Sequence, residues 1–247
     1  MITYGLIGNP LSHSWSASWF FAKFRDERIR DHVYLDFQLA TLDELPALIH
    51  DHPDLAGLNV TIPYKEKIIP FLDEVDELAA RVGAVNTIRI SRKDGKATLK
   101  GFNTDVPGFL RSADFSGFRH ALVLGTGGAA KAVAFALDSI GISVLFVSRT
   151  KKDTKTITYD TITEVNLNQH TLIVNATPLG MYPLVNDAPP IPYKWLSKRH
   201  FLYDLVYNPP VTHFLAKGSL TSARTQNGQH MLENQAEMSF RIWNECE

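Results

Sequence analysis

Residues 120–150, HALVLGTGGAAKAVAFALDSIGISVLFVSRT, limit the possible folds more than any other stretch of the chain. An apolar run stops at a glycine-rich turn, a segment of helical period follows, and a second apolar run closes the unit. All of this takes about thirty residues, the size of one mononucleotide-binding βαβ repeat. Within the turn, GTGGAA matches G-x-G-x-x-G/A through Gly125, Gly127 and Ala130, with Gly128 and Ala129 between them. Gly125 suits a tight turn, Gly127 lets a pyrophosphate approach the backbone, and Ala130 allows close helix packing, with the phosphate charge at the helix N-terminus. The competing use is a plain strand-to-helix turn that binds nothing.

A free adenosine ribose would call for a carboxylate about twenty residues further on, at the end of the second strand. The sequence there is SVLFVSRTKK, without an acid. Ser148, Arg149, Thr150 and Lys151 offer two hydroxyls, a guanidinium fork and an ammonium, a set suited to a 2′-phosphate and therefore to NADP. A solvated basic strand end is the alternative.

The rest of the chain repeats the same rhythm. Strand-like runs at 2–8, 33–39 and 55–61 alternate with helical stretches near 15–25 and 42–50, as in a mostly parallel α/β sheet. A helix is expected over 73–83, ending at Gly83, followed by strands at 84–91 and 97–103 joined by the KDG turn at 93–95. A helix from about 105 leads into the glycine-turn unit. Two further strands, TLIVNAT (171–177) and FLYDLVY (201–207), extend the second sheet, with proline-rich loops at 178–192 and 208–210 and a last helix over 231–245. The expected organisation is an N-terminal α/β domain over 1–103, completed by the C-terminal helix within 227–247, and a Rossmann domain over 104–226.

Composition excludes several functional classes. With 25 Lys+Arg against 26 Asp+Glu there is no electrostatic basis for nucleic-acid or membrane capture. No apolar run approaches the ~20 residues of a membrane span, and the N-terminus lacks the features of a signal peptide. The single cysteine, Cys246, gives neither a disulfide framework nor a thiolate metal site, so no metal is expected and a cytoplasmic location is.

Seven segments then occur in a telling order: GNPLSHSWS (8–16), NVTIPYK (59–65), GAVNT (83–87), GFNTD (101–105), GTGGAAKA (125–132), NATPLGM (175–181) and NGQHMLENQA (227–236). Together they resemble the shikimate dehydrogenase family over almost the whole chain. The resemblance implies a substrate domain and a Rossmann domain, and the reversible NADP-dependent reduction of 3-dehydroshikimate to shikimate, a step of the shikimate pathway toward chorismate and the aromatic amino acids. The implied assembly is a monomer or homodimer. By the same resemblance Ser14 and Ser16 bind the substrate carboxylate, and Asn59, Thr61, Asn86, Tyr207 and Gln235 surround the ring. Asn175, Thr177, Leu205 and Gly228 line the cofactor site. Lys65 and Asp105 form the catalytic pair.

Each assignment has a physical rationale and a competitor. Serines at a helix entrance can bind an anion or simply cap the helix. Amides, hydroxyls, a lysine and a carboxylate satisfy polyol hydroxyls, which both donate and accept. Lysine after a strand is usually a surface charge. Here, however, the strand end opens toward the ligand edge of a parallel sheet, with Pro63 directing the backbone, so Lys65 can exchange a proton with a carbonyl oxygen. Asp105 orients that lysine, or else caps a helix. Three departures from the family stand out: Ala17 and Phe20 in the first helix, Ser148 in place of asparagine, and a short second crossover in which the polar stretch 152–168 replaces most of a helix. A quinate/shikimate dehydrogenase of broader cofactor use is the nearest alternative. A non-catalytic nucleotide sensor is the other, and it would need neither Lys65 nor Asp105.

Overall fold

The computed structural model describes residues 1–11, 15–151 and 153–245; Ser14 and Cys246 lie outside the described residues. Two compact units emerge, Met1–Thr104 with Ala236–Glu247, and Asp105–Gln235. No helix among the described residues is long and apolar enough to cross a membrane.

The first unit holds strands β1 (Ile2–Gly8), β2 (His32–Gln38), β3 (Leu55–Val60), β4 (Glu74–Val75), β5 (Thr87–Lys93) and β6 (Lys96–Phe102). They form one sheet in the order β2-β1-β3-β5-β6-β4. Pairings of β1 with β2, β1 with β3 and β4 with β6 are parallel, while β5 runs antiparallel to both β3 and β6. β1 is almost uniformly apolar because both of its faces are covered. Tyr4 and Leu6 join an aromatic cluster with Phe20, Phe24, Tyr34 and Trp243, and Ile7 joins the opposite core with Leu45, Leu55, Leu58 and Ile88. The helices are α1 (Ser16–Asp26), α2 (Leu45–Asp51) and α3 (Glu77–Val82).

Instead of one helix over 73–83, Glu74 and Val75 pair with Lys100 and Gly101 as β4, and α3 starts only after them. Asp76 is the reason, because its side chain caps the helix by accepting from Leu78 N at 3.0 Å. Gly83 ends α3 as expected, in the left-handed conformation at φ 70°. The expected hairpin also forms. Asp94 and Gly95 both take positive φ, 51° and 79°, as a two-residue turn between right-twisted strands requires.

The second unit contains α4 (Asp105–Leu110), β7 (His120–Leu124), α5 (Gly128–Ser139), β8 (Ser143–Ser148), β9 (Thr156–Thr158), α6 (Glu164–Gln169), β10 (Leu172–Asn175), β11 (Phe201–Asp204), α7 (His213–Ser219) and β12 (Arg224–Gln226). All five pairings are parallel, in the order β12-β11-β10-β7-β8-β9. In chain order this is the 3-2-1-4-5-6 arrangement of a doubly wound dinucleotide-binding sheet. The polar stretch 152–168 therefore does more than shorten a loop. Thr156, Ile157 and Thr158 add the edge strand beside Phe146, Val147 and Ser148 with no helix between β8 and β9 among the described residues, and the 6-residue α6 lies after β9. β12 and α7 had no clear periodic signal; α7 is defined by a Thr212 cap that accepts from Leu215 N at 3.3 Å.

The last helix, α8 (Gln229–Asn244), begins in the second unit and ends in the first. Its early part packs on α4 where Gly108 lies against Gln235, and Asn234 Nδ2 donates to Gly108 O at 3.4 Å. Its late part is sealed into the first unit by Trp243, whose Nε1 donates to Ile88 O at 2.9 Å.

Candidate functional site

Strand direction decides where the chemistry gathers in the first unit. β1, β3 and β6 all end at one edge of the sheet, and β5, running the other way, begins there. Asn59 lies near the end of β3 with Thr61 and Lys65 after it, Asn86 directly precedes β5 and Thr87 opens it, and Thr104 follows β6. Five of these six are uncharged hydrogen-bonding groups, with one cation among them. Open α/β sheets bind ligands at the carboxyl ends of their strands, so the topology places this polar group where a small polyol would be read.

Backbone bonds hold that edge in place. Thr61 N donates to Ile7 O at 2.9 Å, and the methyl of Thr61 packs so close to Gly8 that any side chain there would overlap it. The loop carrying Lys65 is fixed at both flanks. Tyr64 is buried and its hydroxyl donates to Leu39 O at 2.7 Å and Ala40 O at 3.0 Å, while Val85 N donates to the Lys65 carbonyl at 2.7 Å. Tyr64 was not foreseen as part of the site, although an aromatic beside a lysine in a turn was the available sign.

Asn59 and Asn86 are buried and fully engaged. Asn59 accepts from Tyr34 Oη at 2.9 Å and donates to Ser239 Oγ at 2.9 Å. Asn86 accepts from Thr104 N at 2.7 Å and donates to Thr104 Oγ1 at 2.9 Å. Ser16 is the first residue of α1, and the helix has no side-chain cap. Its hydroxyl lies near enough to Tyr34 to offset part of the effect of burial on that phenol. Burial pushes the Tyr34 phenol well above its ordinary range, which keeps it a proton donor.

In the second unit the glycine turn has the required shape. Gly125 sits at φ 107°, where a Cβ would also press on Ala176 O at 3.0 Å. Gly127 has ordinary backbone angles, φ −82° and ψ −175°, and a Cβ there would meet nothing within 4 Å. Neither strain nor protein packing explains that glycine, whereas a phosphate approaching the backbone does. Gly128 and Ala129 form the first turn of α5, and Ala130 is fully buried, as close helix packing needs.

Ser148 ends β8, paired in register with Thr158, and Arg149, Thr150 and Lys151 follow it exposed to solvent. Arg149 lies near enough to Tyr159 to oppose the upward push of burial on that phenol, which nonetheless reaches about 12. Asn175 is fully buried and bonded within its own surroundings. Its oxygen accepts from Thr177 N at 3.0 Å and Thr177 Oγ1 at 2.6 Å, and its nitrogen donates to Asp204 at 2.9 Å and Leu179 O at 3.2 Å. It folds the 175–179 loop from within.

Asp204, at the end of β11, was missed by the sequence reading. It is fully buried, and burial lifts its carboxyl to about 6 despite bonds from Thr212, Val206 N and Asn175. Leu205 and Gly228 are brought together, because any side chain at Gly228 would overlap the Leu205 carbonyl. Tyr207 follows β11 and is half-buried. Gln235 lies on α8, with Nε2 donating to Leu232 O at 3.0 Å. Asp105 is buried as the first residue of α4, inside the helix rather than ahead of it as an N-cap would be. No cluster of metal-binding side chains occurs among the described residues.

Comparison with known proteins agrees with both units. The model of the shikimate dehydrogenase substrate binding domain matches residues 6–88. A shikimate dehydrogenase (NADP(+)) of Carboxydothermus hydrogenoformans is 38% identical over 259 residues, covering 97% of this chain and 90% of that protein. The crystal structure of shikimate 5-dehydrogenase from Thermus thermophilus in complex with NADP(H) and shikimate superposes with a TM-score of 0.83 at 31% identity, covering 99% and 94%. A quinate dehydrogenase from Corynebacterium glutamicum in complex with NAD gives 0.85 at 28%, covering 100% and 94%. At this identity and coverage the chain belongs to the shikimate dehydrogenase family.

Proposed function

We propose that this protein catalyses the reversible NADP-dependent reduction of 3-dehydroshikimate to shikimate, on the route to chorismate and the aromatic amino acids. The observation that carries the reading is the polar edge of the first sheet, where Asn59, Thr61, Lys65 and Asn86 stand at strand ends fixed by backbone bonds. Such a set suits a ring bearing several hydroxyls, each needing a donor and an acceptor, and would leave buried partners unpaired if a hydroxyl were missing.

Met1–Thr104 with the end of α8 is the substrate unit, and Asp105–Gln235 is the cofactor unit. NADPH, when bound, supplies a hydride to the ring carbonyl carbon. Gly127 and the free amides at the start of α5 receive the pyrophosphate, and the Ser148–Lys151 group receives the 2′-phosphate. Lys65 gives a proton to the carbonyl oxygen as it becomes an alkoxide, and takes the proton from the hydroxyl in the reverse direction. Asp105 orients the lysine and binds a neighbouring hydroxyl. Ser14 and Ser16 hold the carboxylate, Tyr207 and Gln235 complete the substrate site, and Thr177, Leu205 and Gly228 form the nicotinamide side. The near absence of cysteine supports a cytoplasmic enzyme, acting as a monomer or homodimer.

The test is absorbance at the reduced-nicotinamide band with shikimate or quinate and NADP or NAD. Shikimate with NADP should give the highest kcat/KM. Equal or faster turnover of quinate with NAD would overturn the substrate and cofactor assignment.

A further inference from the structure

We propose that Tyr34 and Ser239 are positioning residues for substrate recognition, which lock the Asn59 amide in one orientation and join it to Asn86 through a buried network of hydrogen bonds. The inference rests on the function proposed above, since it concerns how the same substrate site is held.

Donors and acceptors assign the orientation of the amides. Asn59 Nδ2 lies 3.3 Å from the Asn86 carbonyl, which can only accept, so the amide nitrogen must face that way and the oxygen must face Tyr34. Tyr34 Oη then donates to Asn59 Oδ1 at 2.9 Å. Asn59 donates in turn to Ser239 Oγ at 2.9 Å, and Ser239 Oγ shares a hydrogen bond with Thr87 Oγ1 at 2.7 Å. Thr87 donates to Asn86 Oδ1 at 3.3 Å. That oxygen is identified independently, because the Thr104 backbone N–H donates to it at 2.7 Å. Asn86 Nδ2 then donates to Thr104 Oγ1 at 2.9 Å. The Asn86 carbonyl and the Thr104 N–H thus fix the orientation of both amides, and the hydroxyls of Ser239, Thr87 and Thr104 bridge them.

This network is an unusual use of a core. Tyr34 stacks on Phe20 at 4.3 Å and 9°, and Ser239 is fully buried on α8 among Ala236 and Trp243. Apolar side chains would fill that space at no desolvation cost, whereas buried hydroxyls and amides are tolerated only when all are bonded. The network joins two groups assigned to substrate binding, Asn59 and Asn86. Fixing Asn59 and Asn86 before the substrate arrives removes the ordering that each amide would otherwise undergo on binding. It also denies Asn59 an amide flip that would present the wrong group to a hydroxyl. Neither Tyr34 nor Ser239 touches substrate in this account. Both act through Asn59.

The experiment measures steady-state kinetics of Tyr34→Phe and Ser239→Ala, alone and combined with Asn59→Ala, with a thermal melt of each variant. Each single variant should raise KM for shikimate about 10-fold, the loss expected when a positioned hydrogen-bonding group is freed, with kcat changed by less than about 3-fold and KM for NADP unchanged. In the Asn59→Ala background, adding either change should shift KM by less than about 2-fold, because the residue it acts through is gone. A merely structural role predicts lower melting temperature and undiminished, multiplicative effects in that background, and this result would overturn the proposal. So would a folded Tyr34→Phe or Ser239→Ala protein with wild-type KM. Should Tyr34→Phe fail to fold, Ser239→Ala decides the matter by the same criteria. Wild-type protein that forms no NADPH from shikimate overturns the functional reading itself, whereas an active wild type with indifferent variants overturns the positioning alone.

Discussion

The two units prepare their sites from different materials. In the first, the ligand edge is made of side chains. Asn59, Asn86, Thr87, Thr104 and Ser239 are all buried and bonded to one another, and the strands serve to bring them to one place. In the second, the ligand edge is made of backbone that lacks side chains. Gly125 turns at positive φ, Gly127 leaves its amide uncovered, and Gly228 lies flat against the Leu205 carbonyl. A polyol differs from its analogues in which hydroxyls it carries, so it is distinguished by groups of matching polarity. A pyrophosphate is the same in every dinucleotide and needs only amides and close approach. The difference teaches which mutations should hurt where. Deleting a polar atom damages the first unit, and adding a carbon damages the second.

The largest expected effect comes from the one charged group on the first unit's edge. Lys65→Met keeps the length and removes the ammonium, and should lower kcat by about 100-fold or more while leaving shikimate affinity largely intact. Near-wild-type turnover of the folded variant would remove Lys65 from the chemistry. Next is a pair of glycine changes that separates ligand from scaffold. Gly127→Ala meets no protein atom and should melt like the wild type, yet raise KM for NADP on the order of 10-fold or more through a lost charge-assisted contact. Gly125→Ala should instead lose about 1–2 kcal/mol of stability from its left-handed backbone. If Gly127→Ala leaves NADP affinity unchanged, the contrast between the units fails at its most direct point.

The proposed adenosine end, Ser148–Lys151, sharpens the comparison, because that proposal makes the second unit rely on side chains there. NADP should be preferred over NAD by about 10-fold, and Ser148→Asp with Arg149→Ala should reverse that preference by repelling the 2′-phosphate and accepting from free ribose hydroxyls. The ratio of the two kcat/KM values measures it, and an unchanged ratio in the double variant would move the adenosine site elsewhere. Smallest is the carboxylate end of the substrate. Ser14→Ala with Ser16→Ala should raise KM for shikimate about 5-fold with little change in kcat, as for groups that bind ground and transition states equally. Unchanged affinity would confine both serines to local structure.

Much of this could be read from the chain because local chemistry fixed it. The strand, glycine turn and helix at 120–139 were legible since each step depends on residues within a few positions of one another: apolar β-formers, a positive-φ glycine and an alanine-rich helix. The Gly83 helix end and the Asp94–Gly95 turn were legible for the same reason. The expectation of NADP came from an absence, the missing carboxylate after the second strand of the unit.

Other features depended on partners distant in sequence. Thr156–Thr158 has no signal of its own, and becomes a strand because β8 offers an open edge beside it. Glu74 and Val75 leave the expected helix because β6 pairs with them. Asn175 donates to Asp204, 29 residues away, a partner that no local pattern names. By itself the sequence determined the glycine turn, the order of the strands along the chain, and which polar residue types stand at the strand ends. Only the tertiary structure decided which of those polar groups bond to one another. Tyr34 and Ser239 reach Asn59 across separations of 25 and 180 residues, and hydrogen-bond direction is set by three-dimensional neighbours that no local pattern encodes.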